Sequence, residues 1–299
     1  MPEKPVVAAE MRIIRALSVT LGLALLGGCS LLRLTYPQLP TIAYWSLDSY
    51  VDFTSTQSER VREELALWLR WNRTTQLPDY LTLIQRARAE ILADTTPARV
   101  CHWIDEGLAR IDSGFEQALP AAAEVARSLT PAQLDHIRKR FDKTNAELRE
   151  EFVQRSPESR AQESAKRAVE RAETLYGKLD DAQRERIARD MAASPFDPER
   201  WIAERQKRQR EGLQSLRRLR AAQADHAQMQ AALREFFEHT QRSPDSGYRA
   251  YQRRLRQHNC EFVARLHNGT TAEQRQAAAQ TLAGWEADLR ALAAEAASR

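Results

Sequence analysis

Seven residues between positions 44 and 53 hold the densest potential chemistry in the chain: Tyr44, Trp45, Asp48, Tyr50, Val51, Asp52 and Phe53. On a helix, Trp45, Asp48 and Asp52 fall at i, i+3 and i+7 and share a face. Two carboxylates one turn apart can bind a cation, exchange protons with a substrate, or hold arginines from a neighbouring helix. A lone pair falls short of the oxygen set a hard cation needs. The chain is rich in arginine, so ion pairing or capping is the favoured reading. Trp45, Asp48, Tyr50 and Asp52 stand beside it as candidate partner-binding residues.

Signals for hydrolysis or phosphate chemistry are missing. The chain has no G-x-S-x-G elbow, no H-E-x-x-H and no glycine-rich phosphate loop, and its six histidines are scattered at 102, 136, 226, 239, 258 and 267. No catalytic residue, metal-ligand set or cofactor is expected, and the chain reads as a non-enzyme. His258-Asn259-Cys260 and His267-Asn268 sit two to three turns apart on one helix, where their polar groups are expected to cap or cross-link neighbours. Trp68, Trp71 and Trp103 read as core residues, since helical spacing already accounts for Trp68.

These residues need helices to hold them. Of 299 residues, 29% are charged and 42% apolar, while 10 glycines and 12 prolines are too few for a strand-and-turn protein. The 45 basic and 41 acidic side chains leave a net +4 and a pI near 9.1, an excess too small to indicate nucleic acid. Val61, Leu65 and Trp68, then Tyr80, Leu83, Ile84, Ala87 and Ile91, predict two short helices in a hairpin, with Pro78 in the first turn of the second. A stripe from Val100 to Leu119 runs until Pro120 kinks or ends it. Two amphipathic helices follow, around Leu134 to Phe152 and Ala165 to Leu179. After the break at 194–198 comes one long helix burying Leu213, Leu216, Leu219, Met229, Leu233 and Phe236. Its opening stretch, Glu204 to Gly212, has no large apolar side chain and is expected to project into water or meet a charged partner. Tyr248 to Leu266 and Ala278 to Ala296 give the last two helices. Nothing reads as a strand, and the fold class is an all-α, elongated multi-helix bundle of about eight to ten helices.

Thr130-Pro131-Ala132-Gln133, Asp180-Asp181-Ala182-Gln183 and Thr271-Ala272-Glu273-Gln274 each place a capping residue three before a glutamine, and Thr54 to Gln57 is a weaker copy. Their unequal separations do not make a solenoid repeat. Leu129-Thr130-Pro131-Ala132-Gln133 also resembles the Leu-Thr-x-x-Gln signature of small helical periplasmic chaperones and stress sensors.

The N-terminus carries an address. Arg12 and Arg15 precede an apolar run from Ala16 to Leu26 that is too short to span a bilayer, and Leu26-Gly27-Gly28-Cys29 closes it. This resembles a lipobox, which implies cleavage before Cys29 and lipidation of its thiol. Ser30, by resemblance to lipoprotein-sorting patterns, implies transfer to the outer membrane. Met11 is an alternative start. Residues 1–28 are then a signal peptide, 29–40 a tether kept extended by Pro37 and Pro40, and 41–299 one helical domain. Outside the cytoplasm, Cys101 and Cys260 are an even pair for which a disulfide is the simplest account, two buried thiols being the alternative.

Two basic runs remain: Arg205 to Arg210 with Arg217, Arg218 and Arg220, and Arg249 with Arg253, Arg254 and Arg256. The anions available in an envelope are acidic headgroups, lipopolysaccharide phosphates or an acidic protein, so Arg217 and Arg218 are candidate partner-binding residues and nucleic acid is not expected. Glu199, Glu204 and Glu211 interleave with the first run, which also fits a solvated ion-paired surface.

The lipobox, Trp45-x-x-Asp48-x-Tyr50-x-Asp52, Trp71-x-Arg73-x-x-x-Leu77-Pro78, Leu129 to Gln133, and Asn259-Cys260 leading into His267-Asn268-Gly269-Thr270-Thr271 together resemble an uncharacterised family of Gram-negative helical lipoproteins, domain of unknown function 6279. The resemblance implies fold and address and brings no activity. The expectation is a non-enzymatic envelope protein that binds or scaffolds at the periplasmic side of the outer membrane, its partners the membrane through its lipid and an envelope protein or anionic lipid. The alternatives are a chaperone-like or stress-sensing helical protein and, third, an enzyme acting on cell-wall or lipid material.

Overall fold

The computed structural model describes residue 33 and residues 35–297, so the expected signal peptide and Cys29 lie outside the described residues. After one 3-10 turn at Tyr36–Gln38 the helices are α1 (Leu39–Val51), α2 (Ser55–Trp71), α3 (Leu77–Glu90), α4 (Pro97–Ser128), α5 (Pro131–Phe152) and α6 (Pro157–Tyr176). They continue as α7 (Asp181–Ala192), α8 (Pro198–Ala221), α9 (His226–Gln241), α10 (Ser246–Asn268) and α11 (Ala272–Ala297). The described residues are all-α, without a strand.

Local chemistry sets most helix starts. Thr54, Thr96, Thr130, Ser156, Asp180, Asp197, Asp225 and Asp245 each accept a hydrogen bond from the backbone N–H three residues on, taking up a donor that the first turn leaves open. Pro97, Pro131, Pro157 and Pro198 follow their caps in the first turn, where a missing N–H costs nothing.

Four expectations are corrected. The hairpin at 55–90 is a continuous rod: α2 runs through a π-helical turn, Asn72–Gln76, directly into α3. The wider turn falls just before Pro78, whose ring would crowd an ordinary α-helical carbonyl behind it. The long helix after 198 is two helices, because Gln223 adopts φ 50° and Asp225 with Gln228 forms a further capping box. Asp225-His226-Ala227-Gln228 is thus a fifth copy of the motif, hidden by the apolar periodicity that runs across it. One side of the Glu204–Gly212 stretch is packed inward: Glu204 and Gln209 are buried, and a Cβ on Gly212 would stand 2.8 Å from the Phe236 ring, while Arg210 and Glu211 stay exposed. Finally, the described part of the tether is helical and docked, with Tyr36 buried and its hydroxyl donating to Asn72 Oδ1 at 2.6 Å. Pro120, for its part, is absorbed inside α4 without ending it.

The capping glutamines have a second use. Gln57 and Gln133 join the starts of α2 and α5: Gln133 Nε2 donates to Gln57 Oε1 at 2.7 Å and to Asp52 O at 2.9 Å, while Gln57 Nε2 donates to Ser128 O at 3.2 Å. Gln183 and Gln274 join α7 and α11 in the same pattern, each also donating to the carbonyl two residues before its partner's cap, Gly269 O and Lys178 O. The two joints are echoed in sequence, with Tyr50, Thr54, Gln57, Glu59, Arg60 and Val61 matched by Tyr176, Asp180, Gln183, Glu185, Arg186 and Ile187. An amide pair between two helix N-termini satisfies carbonyls of the connecting loops and fixes the register of both helices at once.

Packing is divided into local clusters. Ala165, Ala172, Tyr176, Leu179, Ile187 and Ala278 form one between α6, α7 and α11, while Tyr36, Leu69, Leu77, Leu289 and Leu292 form another where the rod meets α11. Leu129, Leu134, Ile137 and Leu213 seat α8 on α5. Cys101 and Cys260 are joined in a disulfide with Cα atoms 5.4 Å apart, tying α4 to α10 beside Val100 and Ala264. Among the described residues, no helix is long and apolar enough to cross a membrane.

Candidate functional site

α1 presents the aromatic–aspartate segment, and its residues divide by task. Tyr44 faces inward and donates its hydroxyl to Ser58 Oγ at 2.9 Å, with the Arg62 guanidinium 3.5 Å from its ring centre. Trp45 meets Tyr44 edge-on at 5.3 Å yet remains 55% exposed, with Arg62 5.4 Å from its ring centre. Asp48 Oδ1 accepts the Phe53 N–H at 3.0 Å, so this carboxylate closes the helix end. Asp52 does not share the face expected of it: it is the C-cap, in the left-handed region at φ 56°, with its side chain toward solvent. The helix stops one residue short of placing the second carboxylate beside the first. Short polar side chains tolerate that conformation best.

Tyr50 points the other way, into the seam between α5 and α8. Its ring lies 6.0 Å from Phe141 and 5.5 Å from the Arg140 guanidinium. Behind it is a buried polar layer that hydropathy could not reveal. Asn145, 4% exposed, donates Nδ2–H to Gln209 Oε1 at 2.7 Å, and its Oδ1 accepts Arg205 Nε–H at 3.0 Å. Burial holds the Arg205 guanidinium below the ordinary arginine value, whereas Arg60, Arg99 and Arg234 are raised by hydrogen bonds to Glu124, Glu90 and Glu116. One residue before Arg205, the buried Glu204 accepts a hydrogen bond from Ser243 Oγ, and burial pushes the Tyr248 phenol up. The only hint in sequence was the run of polar residues with no large hydrophobe from 204 to 212, which spacing alone read as solvent-facing.

The other candidates take structural places. Arg217 pairs with Asp135 on α5 at 2.7 Å, and exposed Arg218 donates to Ser215 Oγ at 3.3 Å. The His267 ring links Tyr176 Oη, 2.9 Å from Nδ1, to Ala93 O, 2.8 Å from Nε2, which fits the tautomer protonated on Nε2. Asn268 clasps both backbone groups of Thr95, and His258 lies against Asp190 O, so these residues cross-link as expected. Trp68 donates Nε1–H to Gly114 O at 2.9 Å and is only half-buried, as are Trp71 and Trp103. Among the described residues, no group of three or more His, Cys, Asp or Glu side chains is placed to hold a metal.

Beyond the core clusters, an apolar groove of about 550 Å³ lies between the rod and α4, lined by Trp68, Tyr80, Leu83, Ile111 and Phe115. The α4 glycines Gly107 and Gly114 also line it, and a Cβ at Gly107 would meet nothing within 4 Å. Compared with known proteins, residues 49–249 match the model of a family of unknown function, DUF6279. No curated protein and no solved structure matches.

Proposed function

The chain belongs to that family of unknown function, and from this premise we propose that it is a non-enzymatic binding or scaffolding protein of the cell envelope, lipidated at Cys29 and held at the periplasmic side of the outer membrane. Its anchor would be the acylated cysteine, and its partner an envelope protein or an anionic lipid. The observation that carries the reading is how the reactive side chains of the aromatic–aspartate segment are used. Asp48 serves a backbone N–H and Asp52 a helix end, while Trp45 and Leu47 remain exposed on α1. Exposed aromatic and aliphatic groups on a rigid helix supply contact area at little entropic cost. Isotope-labelled palmitate fed to cells should enter the wild-type chain, and the chain should sediment with membranes. Cys29→Ala should lose both. Unlabelled wild-type protein that still begins upstream of residue 29 would overturn the proposal.

A chaperone-like or stress-sensing role is the second reading, favoured by the five copies of the Thr/Asp-x-x-Gln motif. Four of the glutamines are spent joining helix starts, which gives the motif a structural use as well. In this reading, equimolar protein suppresses aggregation of an unfolded client; no suppression removes it.

A further inference from the structure

Arginines that bridge helices here commonly end on carboxylates: Arg88 on Glu286, Arg110 on Asp79, Arg184 on Glu173, Arg234 on Glu116 and Arg256 on Asp105. Arg205 and Arg208 on α8 depart from this pattern, and neither forms an ion pair with a carboxylate among the described residues. Arg205 is half-buried, and its guanidinium is fixed from behind by Asn145, which Gln209 holds in turn. Its two terminal nitrogens make no hydrogen bond within the described structure, and they are not among the polar atoms shut off from solvent. One edge of the fork is therefore anchored and the other is open.

A second cation stands beside that edge. Arg208 lies at i+3, on the same side of α8. Tyr50 and Arg208 are the titratable neighbours that act electrostatically on Arg205, and Arg208 also acts on Tyr248. Glu204, one turn before Arg208, is turned to the Ser243 hydroxyl. Withdrawing a cation from water with no counter-charge is unfavourable unless an anion completes the site. Two guanidinium groups and a phenol together carry more donors than the two coplanar oxygens of a carboxylate can accept, which suits the oxygens of a phosphate better.

We propose that Arg205, Arg208 and Tyr50 form a binding site for a phosphate group, free or carried on a lipid headgroup. The site deepens the anionic-lipid side of the function proposed above, yet it stands whether or not Cys29 is acylated, so the palmitate experiment and the one below fail independently.

The test uses the full-length protein in a non-ionic detergent, titrated with inorganic phosphate against chloride at matched ionic strength, with thermal unfolding and calorimetry as readouts. Phosphate should raise the unfolding temperature of the wild type, and Arg205→Gln with Arg208→Gln should weaken binding roughly ten-fold or more, the loss of at least one charge-assisted contact. Arg253→Gln with Arg254→Gln, which removes the same charge elsewhere, should bind as the wild type does. Should the first pair fail to fold, Tyr50→Phe keeps the site testable, with binding weakened about three-fold for one neutral donor. A second arm replaces phosphate with dihexanoyl-phosphatidylglycerol: a response to both ligands makes the headgroup a source, and a response to phosphate alone makes the ligand free phosphate. No response to either by the wild type, or equal responses from the wild type and both arginine pairs, would overturn the site.

Discussion

At the seam of α3 and α11, Glu286 is almost fully buried and accepts hydrogen bonds from Gln85 Nε2 at 3.0 Å and Arg88 Nη1 at 2.6 Å, with Arg290 paired to it one turn on. At the seam of α5 and α8, half-buried Arg205 hydrogen-bonds an amide oxygen and pairs with no carboxylate among the described residues. In the first region the charge of Glu286 is answered from within. Nearby, Tyr176, His267 and the Ala93 carbonyl answer one another, and the Cys101–Cys260 bond closes α4 on α10. A charge answered internally is architecture, while one left unanswered beside a second cation is a place for something from outside. The arginine-rich composition cannot separate the two cases, since α8 supplies both: Arg217 meets Asp135, and Arg205 meets no carboxylate among the described residues.

Three perturbations break or sharpen this contrast. Replacing both cysteines with serine removes a cross-link between residues 159 apart in sequence, and on the chain-entropy account the folded state loses about 5 kcal/mol. Denaturation with and without reductant measures it, and a loss under about 1 kcal/mol would show that the closed region does not need its bond.

Tyr176→Phe comes next, because it leaves the His267 ring without its buried phenol and should cost about 1–2 kcal/mol at neutral pH. The same residue gives the closed region an alkaline signature. Burial pushes the phenols of Tyr176 and Tyr36 up to about 12 from 10.0, so the folded state favours their neutral forms. That contribution is whole below about pH 10 and is lost as pH rises toward about 12. Denaturant midpoints should fall across this window, and less steeply in Tyr176→Phe; a flat profile would contradict the burial of both rings.

The smallest effect is expected where the charge is unanswered. Arg205→Met keeps an unbranched apolar stem and removes a desolvated cation, at the expense of a donor to Asn145. In phosphate-free buffer its stability should stay within about 1 kcal/mol of the wild type. A loss as large as that of Tyr176→Phe would place Arg205 with the structural groups and erase the contrast.

The two regions were unequally legible in the sequence. Apolar periodicity located most helices, and the Thr-x-x-Gln and Asp-x-x-Gln boxes located four of their starts, because a cap and its glutamine interact within one turn. The pairing of Gln57 with Gln133 and of Gln183 with Gln274 was out of reach, since it depends on residues 76 and 91 positions apart. Apolar spacing misled in opposite directions at two places. It hid the Asp225 cap inside one apparent helix, and the turn before Pro78 looked like a hairpin when a π-helical turn carries the rod through.

By itself the sequence determined an all-α chain, its capped helices and the pair of cysteines able to cross-link, for these depend on contacts within a turn or on composition. It also supplied the lipobox-like Leu26-Gly27-Gly28-Cys29 that the proposed address rests on. Only the tertiary structure decided that Asp52 leaves the face of Asp48, that the polar stretch of α8 turns one side inward, and that Arg217 finds a carboxylate while Arg205 does not. The physical reason is that a side chain's charge is written in the chain, but its counter-charge is chosen by which helices meet, and that choice is made by packing between residues far apart in sequence.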